Sequence, residues 1–259
     1  MTRPPAAAQG GEACALRLRG VTRRFGGVVA VSRVNLEVPR GARHGIIGPN
    51  GAGKTTLFNI VSGELAPTAG TVELFGRDIT RRTPPQRVAL GLGRTYQITR
   101  TFTRLTVREN LTLGVHGLRP SKFALLRAWT SYRDLVREVE DVAGQLGLAD
   151  RLDHRASELS HGELRQLEVA IALALRPRLL LLDEPGAGLS PGERADMRRL
   201  LSRLPRGLTL LMIEHDMDLI REVVDRITVL HFGEVVADGA TAEIQSHPTV
   251  REIYLGSRA

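Results

Sequence analysis

The sequence predicts an α/β fold with a mostly parallel sheet, accompanied by a small antiparallel β subdomain and an inserted helical subdomain. Three observations predict it. At residues 43–61 a glycine-rich loop follows a short apolar segment and precedes a helix-like segment. Apolar runs at residues 179–183, 208–214 and 227–231 have the length and composition of buried parallel strands. Between these regions, residues 105–159 carry apolar side chains every three or four positions, as helices do.

The glycine-rich loop fits the pattern G-x-x-x-x-G-K-[ST] of a phosphate-binding P-loop. Its residues are Gly48, Pro49, Asn50, Gly51, Ala52, Gly53, Lys54, Thr55 and Thr56. A strand, a glycine loop and a helix in this order present backbone N–H groups to a polyphosphate. Lys54 would then reach the β- and γ-phosphates, and the Thr55 hydroxyl would ligate Mg²⁺. The loop therefore predicts a P-loop NTPase core.

The antiparallel subdomain is predicted from segments in which apolar and polar residues alternate, as in half-buried strands. These segments are residues 16–19, 34–38 and 71–76, and residues 22–27, between the first two, are predicted to form a turn. We expect residues 14–259 to form one domain, with the helical subdomain inserted at about 105–175. Residues 1–13 are small, polar and proline-containing, so we expect them to form a flexible tail.

Two carboxylates follow the apolar run at residues 179–183. Asp183 ends the predicted strand, and a carboxylate at that point lies beside the P-loop, where it can hold Mg²⁺ through water. Glu184 comes one residue later, where it can accept a proton from an attacking water molecule. Together with the P-loop, this pair predicts the water-activating end of an ATPase.

A third signal is the spacing of Ser160 and Glu163, which predicts a capping box at the start of an apolar helix. A purely structural cap explains this spacing. Such a helix start also offers free N–H groups, the positive end of the helix dipole and an exposed hydroxyl, all of which suit a phosphate. The residues alone leave both interpretations open.

Three motifs follow one another in the chain: the P-loop, the segment Leu-Ser-x-Gly-Glu at residues 159–163, and the apolar strand that ends in Asp-Glu. The helical insert lies between the first motif and the last. This arrangement resembles the nucleotide-binding subunit of an ABC transporter. The resemblance covers residues 16–256. It implies a dimer with two ATP molecules between its subunits. Each ATP contacts the P-loop of one chain and Ser160, Gly162 and Glu163 of the other.

The resemblance also implies roles for residues with weaker signals. Gln97 matches the Q-loop glutamine that contacts Mg²⁺ and the attacking water, and His215 matches the switch histidine that contacts the γ-phosphate. Phe25 takes the place of an aromatic residue that stacks on adenine. Residues 188–191 match the D-loop, which crosses to the other subunit. The expected catalytic residues are Lys54, Gln97, Glu184 and His215, and the expected Mg²⁺ ligands are Thr55, Gln97 and Asp183.

Finer features are similar to the ATPases of branched-chain (hydrophobic) amino acid importers. They lie at residues 25–31, 94–97, 105–111, 213–217 and 253–256. This similarity implies two transmembrane permease subunits and a second ATPase subunit, which is either another copy or a homologous sister chain. It also implies an extracytoplasmic binding protein that acts indirectly, and a location at the cytoplasmic face of the inner membrane. The groove between Gln97 and Asn110, which is rich in Thr and Arg, is expected to dock a permease helix.

Three alternatives stay open: an ABC ATPase for urea import, one for lipopolysaccharide or lipid export, and a soluble ABC ATPase outside transport. The net charge of +8 raises the question of nucleic-acid binding. Only two of the 36 basic residues are lysines, and the arginines are spread along the chain, which indicates a compositional bias. We therefore expect no nucleic-acid partner. No segment reaches the roughly 18 uninterrupted apolar residues of a spanning helix.

Overall fold

The computed structural model describes residues 14–95, 101–117 and 133–255. The predicted tail, Gln97 and the middle of the helical insert lie outside the described residues. In chain order the elements are β1 (Cys14–Phe25), β2 (Val28–Pro39), β3 (Arg43–Ile47), α1 (Lys54–Ser62), β4 (Ala69–Leu74), β5 (Arg77–Asp78), α2 (Pro84–Ala89), β6 (Leu92–Arg94), α3 (Val107–His116), α4 (Arg133–Gln145), α5 (His161–Ala174), β7 (Leu179–Asp183), α6 (Pro191–Arg203), β8 (Thr209–Ile213), α7 (Met217–Val223), β9 (Arg226–His231), β10 (Glu234–Ala240), α8 (Thr241–Ser246) and α9 (Pro248–Leu255).

The larger sheet has six strands in the order β10-β9-β3-β8-β7-β6. All neighbouring strands in it run parallel except β9 and β10, which run antiparallel. Strands β3, β7 and β8 are buried along their whole length. Strands covered on both faces are apolar throughout, which explains the continuous apolar runs in the sequence. The predicted parallel core is confirmed.

The smaller sheet has the order β2-β1-β4-β5 and is antiparallel throughout. It confirms the predicted antiparallel subdomain. One detail of the sequence interpretation is wrong, because we expected a turn over residues 22–27. Strand pairing between β1 and β2 continues to Phe25 opposite Val28, so only Gly26 and Gly27 form the turn.

Between β6 and β7 the described chain is helical, with α3, α4 and α5 packed on one another. Their buried apolar side chains belong to one core, which includes Leu111 of α3, Val139 of α4 and Leu167 of α5. Each buried side chain of this size contributes about 1.5–3 kcal/mol through removal from water. The apolar residues that recur every three or four positions in the sequence are therefore the ones that form this shared core.

The larger sheet separates two apolar cores. Along β7, Leu180 and Leu182 point into the core with the helices, whereas Leu179 and Leu181 point into the core shared with α1 and the smaller sheet. Successive side chains of a strand point to opposite faces, so a continuous apolar strand serves both cores. The parallel strands all end at one edge of this sheet, here called the carboxyl edge. Loops that follow β3, β7 and β8 meet there, which is where open α/β sheets bind ligands.

Candidate active site

The P-loop follows β3 at the carboxyl edge, and α1 begins within it at Lys54. Its backbone lies very close to two other strands. A Cβ atom at Gly48 would lie 2.2 Å from the carbonyl oxygen of Leu230, and one at Gly53 would lie 2.3 Å from that of Ala30. Both glycines also have a positive φ. Only glycine fits these two positions, so strands β2 and β9 fix the shape of the loop.

The start of α1 differs from the starts of α3, α5, α6 and α7. In the described structure no side chain caps it, whereas Thr106, Ser160, Ser190 and Asp216 cap α3, α5, α6 and α7. The first N–H groups of a helix have no partner within the helix and carry the positive end of its dipole. An uncapped helix start that follows a glycine loop is therefore suited to bind phosphate.

Lys54 places a cation at the P-loop. Its side chain is 6% exposed. Its Nζ atom donates hydrogen bonds to the carbonyl oxygens of Gly48 and Pro49, at 2.6 and 2.9 Å. Burial lowers the pKa of Lys54, while the carboxylates of Glu184 and Asp183 act to raise it. The lysine and the two carboxylates predicted from the sequence are thus electrostatically coupled at this edge.

Asp183 ends β7 and is 2% exposed. Its Oδ2 atom accepts a hydrogen bond from Nη2 of Arg94 at 3.1 Å, and its Oδ1 atom is buried without a hydrogen-bond partner. Burial raises the pKa of Asp183, and the Arg94 charge opposes that rise. Arg94 was not predicted as a site residue. It also donates to Ser62 at 2.6 Å, and so ties the end of β6 to α1.

Two oxygen-bearing side chains at this edge fit Mg²⁺. They are the exposed Thr55 at the start of α1 and Asp183, with its unpartnered Oδ1. In the described residues no group of three or more His, Cys, Asp and Glu side chains could hold a metal ion. Mg²⁺ commonly binds through one or two protein oxygens together with substrate phosphates. The ligand set fits a Mg²⁺ ion that arrives with a nucleotide.

Glu184 follows Asp183 and has a left-handed backbone, with φ 49°. Non-glycine residues adopt this conformation at an energetic cost, and it is found most often at functional sites. Its backbone N–H donates to the carbonyl of Ile213 at 2.9 Å, which holds the turn to the end of β8. Its Oε1 atom lies 2.9 Å from Nε2 of His215, close enough for a hydrogen bond. Two residues that are 31 positions apart are thus joined at the carboxyl edge.

Glu214, which the sequence interpretation missed, organises the loop that carries His215. It is 3% exposed. Its Oε1 atom accepts hydrogen bonds from the backbone N–H groups of His215 and Asp216, at 2.8 and 3.1 Å. Its Oε2 atom accepts one from Gly186 at 3.0 Å, in the loop after β7. One buried carboxylate therefore connects the two loops. Its signal in the sequence was an acidic residue at the end of an apolar strand.

Ser160, Gly162 and Glu163 lie at the start of α5. The predicted capping box is confirmed, because the Ser160 hydroxyl accepts from Glu163 N–H and the Glu163 carboxylate accepts from Ser160 N–H. Glu163 also pairs with Arg151 at 2.7 Å. The N–H of Gly162 donates to Glu193 of α6. The residues of this segment thus form hydrogen bonds with one another, with Arg151 and with α6, and not with the P-loop.

Phe25 lies at the tip of the β1–β2 hairpin and is 47% exposed. The guanidinium carbon of Arg23 lies 4.7 Å from the centre of its ring. The same hairpin carries Ala30, which contacts the P-loop at Gly53. The aromatic residue expected to stack on adenine is therefore an exposed ring on the hairpin beside the loop.

The segment expected to dock a permease is described from Thr101 onwards. The structure places Asn110, at the end of this segment, within α3, with 1% of its surface exposed. Its side chain accepts from the N–H of Phe102 and donates to the carbonyls of Phe102 and Thr106. Asn110 therefore holds this loop from the inside, whereas Phe102 is 60% exposed on its surface.

These features define a P-loop protein that hydrolyses nucleotides, and comparisons with known proteins specify the class. A family model described as ABC transporter matches residues 31–187. A second, described as branched-chain amino acid ATP-binding cassette transporter, matches residues 234–259. The chain belongs to the ABC transporter family, as an ATP-binding cassette that binds and hydrolyses ATP.

Two curated relatives are similar over almost their whole length. The high-affinity branched-chain amino acid transport ATP-binding protein BraF of Pseudomonas aeruginosa is 39% identical over 249 residues, which cover 93% of this chain and 97% of the relative. The corresponding protein LivG of Escherichia coli K12 is 38% identical over 248 residues, with the same coverage.

Solved structures agree with this assignment. A nucleotide-free ATP-binding cassette from an ABC transporter superimposes with a TM-score of 0.81 at 32% identity, covering 93% of this chain and 98% of that one. Another cassette, solved in its ADP conformation, gives a TM-score of 0.81 at 30% identity, with coverage of 94% and 99%. In the described part of the chain, no helix has the length and apolar character needed to span a membrane.

Proposed function

We propose that the chain is the ATPase subunit of an importer for branched-chain amino acids. The names of its relatives and the match of residues 234–259 support this substrate class. In this proposal the chain works with two transmembrane permease subunits and a second ATPase subunit, either another copy or a sister chain. The assembly lies at the cytoplasmic face of the inner membrane, and an extracytoplasmic binding protein delivers the amino acid.

The observation that carries the proposed chemistry is the pair of Glu184 and His215, whose side chains meet at 2.9 Å. The carboxylate of Glu184 accepts the proton of the water that attacks the γ-phosphate. His215 orients this carboxylate and contacts the γ-phosphate once ATP is bound. Lys54 contributes positive charge at the β- and γ-phosphates. Glu214 holds His215 in place through the backbone of its loop.

Magnesium is the metal that the oxygen ligands of this site favour. Thr55 and Asp183 would hold it, and Gln97 is expected to add a further contact. The bound ion would offset the negative charge of the phosphates. Arg94 supports this arrangement, because it occupies Oδ2 of Asp183 and leaves Oδ1 available.

The second half of the nucleotide site comes from the other ATPase subunit in this proposal. Ser160, Gly162 and Glu163 lie at the start of α5, and their hydrogen bonds do not go to their own P-loop, so we assign them to the ATP bound by the partner. Phe25 stacks on the adenine. ATP binds more tightly to the closed dimer than to the open one, and this differential affinity performs work on the permease. Hydrolysis then reopens the dimer.

Replacement of Glu184 by Gln tests the proposed chemistry. The variant keeps the size of the side chain and a hydrogen bond to His215 but cannot accept a proton. We expect ATP binding to persist while turnover falls by roughly 10²–10⁴-fold, the usual contribution of a general base. Glu243→Gln is the matched control, since Glu243 caps α8 through the N–H of Ala240. Turnover of Glu184→Gln near the wild-type rate would refute the assignment of Glu184.

Purification of the tagged chain from detergent-solubilised membranes tests the transport role. We expect mass spectrometry to identify two hydrophobic permeases, with or without a sister ATPase. The associated binding protein should bind leucine, isoleucine or valine in calorimetry. Binding of urea instead, or association with a lipid-exporting assembly, would overturn the substrate class. Recovery of soluble partners alone would overturn the transport role and leave the ATPase chemistry standing.

A further inference from the structure

Helices α5 and α6 are joined by one acidic side chain at their starts. Glu193, in the first turn of α6, accepts a hydrogen bond on its Oε1 atom from the backbone N–H of Gly162, at 2.9 Å. Its Oε2 atom accepts from the N–H and the hydroxyl of Ser190, at 2.9 and 2.7 Å. One oxygen therefore caps its own helix, and the other is bound to the start of α5.

The fit between Gly162 and Glu193 is close. A Cβ atom at Gly162 would lie 2.7 Å from Oε1 and 2.8 Å from Cγ of Glu193. Any larger residue at this position would have to displace the glutamate. The hydrogen bonds from the Ser190 side chain, the Ser190 backbone and the Gly162 backbone lower the pKa of the Glu193 carboxyl. The group that occupies the Gly162 N–H is consequently a negative charge.

The same N–H has a second use in the proposed function. Gly162 is one of the residues through which α5 would contact the ATP of the partner subunit. A backbone N–H carries a single hydrogen, and the carboxylate and a phosphate oxygen are both anions. They cannot both accept this hydrogen at full strength, and their charges repel each other at such a short separation. One of them has to leave when the other binds.

We propose that Glu193 is a positioning residue that occupies the Gly162 N–H in the absence of ATP and must release it when the dimer closes on the nucleotide. This inference rests on the proposed function. Closure transfers the N–H from the carboxylate of Glu193 to a phosphate of the partner's ATP, while Oε2 stays on Ser190 and preserves the cap of α6. The contact therefore sets the concentration of ATP at which the dimer closes. It also links the start of α5 to residues 188–191, the segment expected to face the partner.

Glu193→Gln is the informative variant. Glutamine serves a capping box as glutamate does, so the start of α6 is preserved. Its amide has only one oxygen, which cannot serve both Ser190 and Gly162, and it has no charge. We expect closure to require roughly three- to tenfold less ATP, which corresponds to the loss of one charged, partly exposed hydrogen bond. A defect in folding would shift the ATP requirement in the opposite direction.

The assay uses the full chain carrying Glu184→Gln, so that ATP hydrolysis does not dissociate the dimer. Light scattering follows association as ATP and Mg²⁺ are raised, with the chain alone and with any cassette that co-purifies with it. Three proteins are compared: Glu184→Gln, Glu184→Gln with Glu193→Gln, and Glu184→Gln with Glu243→Gln. The last removes a similar capping carboxylate from α8 and should match the first. Hydrogen exchange without nucleotide should show a faster exchange of the Gly162 N–H in the Glu193→Gln protein.

The outcomes separate this inference from the function on which it rests. If the double variant needs as much ATP to associate as Glu184→Gln alone, the role of Glu193 is overturned, while the ATP-driven dimer stands. An increased ATP requirement would show that Glu193 favours closure, which also overturns it. Unchanged exchange of the Gly162 N–H would show that the contact is absent in solution. Failure of Glu184→Gln to associate under any condition would overturn both the proposed dimer and this inference.

Discussion

His44 should make the fold sensitive to mild acid. Its imidazole lies in the middle of the larger sheet with no exposed surface. Its Nε2 atom is 2.7 Å from the hydroxyl of Thr228, and its Nδ1 atom has no hydrogen-bond partner. Burial lowers the pKa of His44 from 6.5 to about 4, Asp238 opposes this shift, and Arg226 adds to it. Arg226 also pairs with Asp238 at 2.9 Å, which offsets the carboxylate charge near the imidazole.

The direction in which pH changes the free energy of unfolding depends on which state, folded or unfolded, binds the proton more readily. The unfolded chain protonates His44 near its ordinary pKa, whereas the folded chain resists protonation until the pH approaches the lowered value. Stability is therefore unaffected above the ordinary pKa and is lost as the pH falls below it. A shift from 6.5 to about 4 corresponds to about 3 kcal/mol in full, of which about 2 kcal/mol is lost by about pH 5.

Urea unfolding of the wild type and of His44→Gln at about pH 7.5 and pH 5 measures this loss. Glutamine retains a hydrogen-bonding partner for Thr228 and does not titrate. We expect the variant to lose about 2 kcal/mol less than the wild type between the two pH values. His154→Gln is the control, because His154 is exposed. It should follow the wild type. Equal pH dependence of the wild type and His44→Gln would refute the reasoning.

Two further substitutions have clear expected effects. Arg94→Met leaves the carboxylate of Asp183 buried without its cation, so urea unfolding should show a loss of roughly 3–5 kcal/mol. Adding Asp183→Asn should restore part of it, and a loss below about 1 kcal/mol would contradict the pairing. Asn110→Ala removes the hydrogen bonds that hold the loop at Phe102 and should cost about 2 kcal/mol. Limited proteolysis should then cleave the chain faster near Phe102, and an unchanged cleavage rate would contradict the role of Asn110.

Several elements were predictable because their signals are local. The P-loop is a continuous sequence whose glycines, lysine and threonine are neighbours in the chain. The continuous apolar strands indicated a sheet covered on both faces, and the structure has one. The capping boxes at Ser160 and Ser190 depend on residues three positions apart, and both are present. Short-range geometry of this kind follows directly from the order of the residues.

Other residues gained their significance only from the fold. Glu214, Arg94 and Glu193 each connect segments that are distant in the sequence. Glu214 joins the loops after β7 and β8, Arg94 joins β6 to Asp183, and Glu193 joins α6 to α5. An isolated acidic or basic residue is usually part of a solvated surface, so its type alone does not reveal such a contact.

The sequence by itself determined the class of fold, the location of the phosphate-binding loop and the pair of carboxylates that follows β7. These features could be predicted because hydrophobic periodicity and the spacing of glycine, lysine and acidic residues are patterns within a few neighbouring positions of the chain. The tertiary structure alone decided which distant side chains meet at the carboxyl edge. There, parallel strands bring Lys54, Asp183 and His215 together although more than a hundred residues separate the first from the others. It also decided that the start of α5 is hydrogen-bonded to α6, because the packing of the helices brings Gly162 next to Glu193.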